Sequence, residues 1–116
     1  MRVIRLNEGD TCEPDKGWRR VSLAGSDEVS VEYFEKPAGH ASPLHSHPQE
    51  QVCIVVKGKM RMIARDHESV ELGPGDSVWF AANESHAIEN TGAETAIGID
   101  IFVPARSFEF WKNRLR

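Results

Sequence analysis

The chain has 116 residues, of which 40% are hydrophobic and 28% are charged, and its formal net charge is −4. This length allows one domain with a single core, and the composition is that of an ordinary soluble globular protein. No apolar run reaches the roughly 20 residues that span a membrane, and no basic stripe indicates a nucleic-acid partner. Residues 1–6 lack the apolar core of a signal peptide, and Cys12 and Cys53 form no CxxC pair. We therefore expect a single domain over residues 1–116 that functions in the cytoplasm.

Short segments with an alternating pattern predict β-strands along most of the chain. Apolar and polar residues alternate over residues 29–33, 60–64, 70–72 and 95–103. Residues 51–56 form a more continuous apolar run, which predicts a strand that is buried on both faces. Gly, Pro, Asn and Asp residues separate these segments and predict turns. Short strands joined by close turns predict an all-β protein, an antiparallel sandwich or barrel.

The tail from Arg106 onward follows a different pattern. Phe108, Trp111 and Leu115 recur at spacings i, i+3 and i+7, which predicts a short amphipathic C-terminal helix or turn. This element would pack on the barrel or on a partner chain. Because small antiparallel barrels have edge strands that need covering, and the tail is rich in aromatic residues, we expect a homodimer.

Three histidines and a glutamine form a candidate metal site. His45 and His47 are two positions apart, so on a strand they would point to the same face, about 7 Å from each other. Gln51 follows His47 by an even offset and would share that face, whereas Glu50, the alternative oxygen donor, would face away. With His86, these side chains predict a site for a divalent ion such as Zn, Ni, Fe or Mn. The competing interpretation is that the histidines are solvated loop residues.

A single carboxylate interrupts the apolar strand predicted over residues 95–103. Asp100 and Phe102 share the face opposite a series of isoleucines. A carboxylate in an apolar strand is costly to bury unless it is paired or functional. If the isoleucines pack between sheets or in a dimer interface, Asp100 faces the metal and could act as a general acid/base. The alternative is a structural ion pair with an arginine such as Arg61 or Arg106.

The residues around the histidines resemble the two sequence motifs of the cupins. The first motif is Gly39-x5-His45-x-His47-x3-Gln51-x6-Gly58, with Gln51 where the family usually has Glu. The second is Gly75-Asp76-x4-Ala81-x-Asn83-x2-His86-x3-Asn90, with Ala81 and Asn83 where the family usually has Pro and Gly. The resemblance implies a small antiparallel jelly-roll barrel. It also implies a divalent metal held by His45, His47, Gln51 and His86, while the two turn departures put the local turn in doubt.

The glutamine indicates which chemistry the metal would support. A glutamate ligand would cancel part of the charge of the ion and would help to stabilise a higher oxidation state. The neutral amide of Gln51 leaves the full divalent charge available to polarise a bound carbonyl, hydroxyl or carboxylate. This favours Lewis-acid chemistry over redox chemistry.

Two stretches resemble the pectin-degradation cupins, which open cyclic 4,5-unsaturated uronates to linear keto-sugar acids. They are His45-Ser-His47-Pro-Gln-Glu50-Gln51 and Asp100-Ile-Phe102-Val-Pro-Ala-Arg106. The resemblance implies that Asp100 is the acid/base, that Phe102 positions the ring and that Arg106 binds the substrate carboxylate. We therefore predict a metal-dependent enzyme of carbohydrate metabolism that acts on a sugar acid by lyase-like, isomerase-like or hydrolytic ring opening. The alternatives are a metal-dependent cupin dioxygenase and a sugar-binding cupin without catalytic activity.

Overall fold

The computed structural model describes residues 1–114 and consists of antiparallel strands with a short helix near the C-terminus. The elements are β1 (Thr11–Asp15), β2 (Trp18–Ser22), β3 (Ser30–Lys36), β4 (Glu50–Lys57), β5 (Met60–Ala64), β6 (Val70–Leu72), β7 (Ser77–Phe80), β8 (His86–Asn90), β9 (Ala96–Val103) and α1 (Glu109–Arg114). One sheet has the order β1-β2-β3-β9-β4-β7 and the other the order β6-β5-β8. This arrangement confirms the predicted all-β antiparallel barrel with a C-terminal helix. Within residues 1–114, no helix is long and apolar enough to cross a membrane.

Strand β9 lies between β3 and β4 and supplies the centre of the larger sheet. Its even-numbered residues Ala96, Gly98, Asp100 and Phe102 are buried, whereas the isoleucines at odd positions are half-buried on the other face. The alternation over residues 95–103 therefore predicted correctly that Asp100 and Phe102 share a face. The homodimer that would cover the isoleucine face stays a prediction.

Strand β3 buries the face opposite to the one that the alternating apolar residues predict. The inward side chains are Glu32, Phe34 and Lys36, while Val31 and Tyr33 are only half-buried. Hydrophobicity alone points to the wrong face here, because the inward polar residues pair with charges or border a cavity. Polar side chains can face a barrel interior when such partners satisfy them.

Strand β4 has one buried face and one that is partly open to solvent. Gln51, Cys53 and Val55 point inward, whereas Ile54 is half-buried and Val56 is 50% exposed. The expectation of a strand buried on both faces is therefore wrong. The apolar residues at even positions lie on the outer surface of the six-stranded sheet rather than in a second core.

The C-terminal helix packs against the first hairpin. Trp111 is buried, and its ring meets that of Trp18 edge to face at a centroid distance of 5.1 Å. Cys12 belongs to the same apolar cluster, and Phe108 packs against it. The predicted packing of the tail on the barrel is therefore confirmed for Phe108 and Trp111, and Leu115 lies outside the described residues. The helix closes one side of the cavity that contains the candidate metal site.

Gly98 allows the ring of Phe34 to lie directly against β9. A Cβ atom at residue 98 would lie 2.6 Å from Cε1 of Phe34 and 3.2 Å from Cε of Met60, both of which are buried. Because neither neighbour can move into solvent, we expect Gly98→Ala to lower the free energy of unfolding by about 1–3 kcal/mol in urea denaturation. The control Gly73→Ala meets only Asp76, at 3.9 Å, and should change stability by less than about 0.5 kcal/mol. Equal effects of the two substitutions would contradict this account.

Candidate metal centre

The three predicted histidines converge inside the barrel. Their ligand atoms all lie within 4.8 Å of one another, a spacing that could hold one metal ion. His86 begins β8, but His45 and His47 precede β4, so the expectation that they lie on a regular strand is wrong. They nevertheless reach the site, because His45 forms an isolated β-bridge with His86. Its main-chain nitrogen lies 3.0 Å from the oxygen of His86, and the reverse contact is 2.8 Å.

Main-chain carbonyl groups orient all three imidazole rings. In each ring Nδ1 lies close to a carbonyl oxygen two residues away along the chain. The distances are 2.7 Å from His45 to Pro43, 3.0 Å from His47 to Gln49 and 2.8 Å from His86 to Glu84. Since a carbonyl can only accept a hydrogen bond, each Nδ1 carries a hydrogen, and Nε2 is the ring nitrogen left to face the centre of the site. Such partners fix the ring tautomer and orientation of metal-binding histidines.

Gln51 brings an oxygen to the same point. Its Oε1 lies 3.0 Å from Nε2 of His47 and 3.0 Å from Nε2 of His86. Its amide nitrogen donates to Oδ1 of Asp100 at 2.9 Å, which fixes the amide with the oxygen toward the histidines. Glu50, the alternative donor, is exposed and accepts a hydrogen bond from the indole of Trp79.

The donor set fits a cation. Oε1 of Gln51 faces Nε2 of both His47 and His86, and in a neutral ring whose Nδ1 carries the hydrogen this Nε2 has a lone pair. Burial and then the neighbouring histidines lower the pKa of His86 to about 4, and burial lowers the pKa of His45, so protonation of these two rings is disfavoured. A divalent ion among these atoms would accept their lone pairs, and it would not first have to displace a proton from His45 or His86.

The turn before β8 is preserved although its sequence departs from the cupin motif. Asn83 has a φ of 64°, a left-handed conformation that asparagine tolerates better than most residues other than glycine. Its main-chain nitrogen donates to the oxygen of His47 at 2.8 Å and so ties the two halves of the site together. Ala81, unlike proline, has an N–H group, which donates to the Glu84 carboxylate at 2.9 Å. The departures therefore leave His86 in its predicted place.

Asp100 is 2% exposed and belongs to a buried chain of charges. Its Oδ2 accepts a hydrogen bond from Nη2 of Arg20 at 2.7 Å, and Nε of Arg20 donates to Oε1 of Glu32 at 2.8 Å. The alternative that Asp100 forms a structural ion pair with an arginine is therefore confirmed, but the two arginines named as examples were wrong: Arg61 pairs with Glu89 at 3.3 Å and Arg106 with Glu32 at 3.6 Å. Arg20 instead occupies this position.

Phe102 and Arg106 lie on the same side of the site as Asp100. The ring of Phe102 meets that of His47 edge to face at 5.6 Å. The guanidinium carbon of Arg106 lies 4.0 Å from the centroid of Phe102 and 4.2 Å from that of Phe110. Burial lowers the pKa of Arg106 to about 10, so the group remains a cation at neutral pH.

A cavity of about 230 Å³ borders these side chains. Of the residues predicted from the sequence, His45, Gln51, His86, Asp100, Phe102 and Arg106 line it. His47 is buried and contacts Gln51 and Phe102. Four basic side chains also border the cavity: Arg20, Lys36, Arg106 and Arg114. Since Asp100 is the one acidic side chain among the described lining residues, the cavity favours an anionic ligand.

Sequence reasoning did not identify Arg20, Glu32 or Lys36 as part of the site. All three are buried charged residues on β2 and β3. Glu32, Phe34 and Lys36 occupy alternate positions of β3 and therefore share one face of the strand. Placing the ring of Phe34 in the core would have predicted that the other two side chains also point inward. No local pattern pairs Arg20 with Asp100, which is 80 positions away.

The chain is similar to proteins of a known family. The family model described as the cupin domain matches residues 32–102. Dimethylsulfoniopropionate lyase DddQ of Ruegeria pomeroyi is 32% identical over 62 residues, which cover 53% of this chain and 31% of that protein. The chain thus matches about a third of the length of this curated relative.

Two solved structures share the fold over nearly the whole chain. An RmlC-like cupin from Shewanella frigidimarina has a TM-score of 0.83 and 24% identity, with 95% of this chain and 96% of that chain covered. KdgF from Halomonas sp. has a TM-score of 0.84 and 21% identity, with 95% and 98% covered. At these identities the likeness is one of fold.

Proposed function

Because this chain belongs to the cupin family, we propose that it is a metal-dependent enzyme that opens a 4,5-unsaturated uronate to a linear keto acid. The observation that carries this proposal is the position of the Gln51 amide between the histidines and Asp100. One side chain thereby connects the metal donors to the candidate acid/base. The basic cavity and the motif resemblance to the pectin-degradation cupins favour a carboxylate-bearing sugar.

The proposed reaction is an isomerisation that needs only proton transfer. The substrate is a cyclic hemiacetal whose ring oxygen is also attached to the C4–C5 double bond. Asp100 takes the proton of the anomeric hydroxyl, the bond from C1 to the ring oxygen breaks, and C1 becomes an aldehyde. The ring oxygen leaves as an enolate on C5. Return of the proton to C4 then gives the ketone, so atoms and charge balance.

Three residues of the cavity would have separate roles in this reaction: Asp100, Phe102 and Arg106. Asp100 accepts a hydrogen bond from Gln51 at Oδ1 and one from Arg20 at Oδ2, and a carboxylate oxygen can accept a further bond from a substrate hydroxyl. Phe102 provides an apolar wall for the sugar ring, and Arg106 provides positive charge for the carboxylate. A divalent ion held by the histidines would polarise a substrate oxygen and stabilise the negative charge that develops there.

The DddQ relative suggests another substrate by its name, and the cavity argues against it. Dimethylsulfoniopropionate carries a sulfonium cation besides its carboxylate. Such a cation would need an open aromatic face. Arg20, Lys36, Arg106 and Arg114 already lie over the aromatic rings of this site and would repel it. A substrate that is only anionic fits better.

Ultraviolet absorbance of the conjugated double bond tests the proposal. We expect zinc- or nickel-loaded protein to accelerate the loss of this absorbance from an unsaturated galacturonate. Asp100→Asn should reduce the rate by about 10²–10⁴-fold, the usual contribution of a general acid/base, without loss of bound metal. Asp66→Asn, in an exposed turn, is the matched control. A metal-loaded wild type no faster than spontaneous decay would refute the proposed function, and full activity of Asp100→Asn would refute the role of Asp100.

A further inference from the structure

Lys36 is a buried cation that the proposed reaction does not use. Its side chain extends inward from β3, is 2% exposed and borders the cavity that contains the candidate metal site. Its Nζ lies 4.4 Å from the centroid of the Trp18 ring. Among residues 1–114, no carboxylate lies within ion-pair distance of this ammonium group. Lys36 therefore has no direct ion-pair partner in this part of the chain, although the negative charge of Asp100 is near enough to act on its pKa.

The other cations of the cavity differ from Lys36 in this respect. Arg20 is bonded to both Glu32 and Asp100. Arg106 lies 3.6 Å from Glu32, and its guanidinium group lies over the rings of Phe102 and Phe110. Arg114, at the end of α1, is exposed to solvent, which can hydrate its charge. Only Lys36 among these four is both buried and without an acidic partner in the described part of the chain.

An unpaired buried cation is unfavourable, so its presence needs a compensating partner. Burial is the main cause that lowers the pKa of Lys36, to about 8, and the nearby charge of Arg20 adds to the effect. The group is still mostly protonated at pH 7. The Trp18 ring compensates part of the lost hydration through a cation–π contact. An anionic group of a bound ligand would supply the remaining compensation.

Lys36 is separate from the cation that the motif resemblance assigns to the substrate. Arg106 contacts Glu32 on β3. Lys36 lies four residues after Glu32 on the same strand, so the main-chain atoms of Glu32 and Lys36 are about 13 Å apart. The two cations therefore approach the cavity from different places. Both cations line the same cavity, so Lys36 would add to the charge that Arg106 offers to a ligand carboxylate rather than bind a second one.

We propose that Lys36 is a carboxylate-binding residue of this cavity and that it makes the cavity selective for sugar acids over neutral sugars. The proposal rests on the proposed function for the kind of ligand, a sugar acid. It does not depend on turnover. Loss of an ion pair with a buried partner weakens binding strongly, since the other charge is left unpaired.

Calorimetric titration of zinc-loaded protein with D-galacturonate and D-galactose tests this inference. The two sugars have the same ring, and only the first carries a carboxylate. We expect the wild type to prefer galacturonate, and Lys36→Met to reduce that preference by about tenfold or more without a change in galactose binding. Lys36→Arg, which keeps the charge, should retain most of the preference. Lys59→Met removes an exposed lysine and should behave as the wild type.

The possible results separate this inference from the proposed reaction. A wild type without preference for galacturonate, or Lys36→Met with an unchanged preference, would overturn the role of Lys36. Either result would leave the ultraviolet assay to decide the reaction. Conversely, an inactive wild type whose preference depends on Lys36 would support the subsite and refute only the ring opening. If Lys36→Met does not fold, Lys36→Gln gives the same comparison with a polar side chain.

Discussion

Replacement of His45 by alanine is expected to weaken zinc binding by at least about 100-fold, more than the 10–100-fold typical of groups that only support metal ligands. His45 is the least buried of the three imidazoles, so its removal should disturb the packing least. The remaining ligand atoms, from His47, His86 and Gln51, would hold the ion with one imidazole fewer. A titration of zinc against a chelator of known affinity, followed by elemental analysis, measures this change.

Metal binding should also stabilise the fold of the wild type. A ligand that binds only the folded state at 1,000 times its dissociation constant stabilises a protein by about 4 kcal/mol. Zinc should therefore raise the melting temperature of the wild type clearly and that of His45→Ala much less. His67→Ala is the matched control, because His67 is a histidine with a 70% exposed side chain and lies outside the three-histidine cluster. Zinc binding by His45→Ala with wild-type affinity would contradict the proposed centre.

The four candidate metal ligands could be selected from the sequence because His45, His47, Gln51 and His86 match the spacing of the cupin motifs. His45 and His47 are not on a regular strand, yet the β-bridge of His45 to His86 places this short segment beside His86. Gln51 and Asp100 lie on adjacent strands, and the alternation of side chains along a strand fixed the face of each. A two-residue period therefore gave the correct facing for the central strands β4 and β9, even though the strand boundary before Gln51 was wrong.

The charged interior was not predictable from the same patterns. Strands β1 and β2 were not predicted, since Thr11–Asp15 and Trp18–Ser22 have no simple apolar alternation. Arg20 nevertheless faces inward, because Glu32 and Asp100 neutralise it there. Those partners lie 12 and 80 positions away along the chain. Hydropathy describes a side chain alone and contains no information about a distant counter-ion.

Glu32→Gln is expected to be among the most destabilising substitutions of a single polar side chain. Glu32 is 1% exposed. Its Oε1 accepts hydrogen bonds from Arg20 at 2.8 Å and from the indole of Trp111 at 2.7 Å, and its Oε2 lies 3.6 Å from Arg106. The amide keeps the size of the side chain but removes its charge. Since unpairing a buried charge costs about 3–5 kcal/mol, we expect a loss of that order in urea denaturation.

The partly exposed pair of Glu35 with Arg19 provides a control, because Glu35 lies on β3 like Glu32. These side chains are 33% and 36% exposed, and their charged atoms are 3.4 Å apart. Because solvent screens such a pair, Glu35→Gln should cost less than about 1 kcal/mol. Similar losses for both variants would mean that burial does not increase the contribution of the Glu32 carboxylate to the free energy of unfolding. A large loss for Glu32→Gln alone would identify Glu32 as the counter-charge for two buried arginines.

Because Glu32 also binds the Trp111 indole, tryptophan fluorescence should show whether α1 leaves the barrel in the same transition.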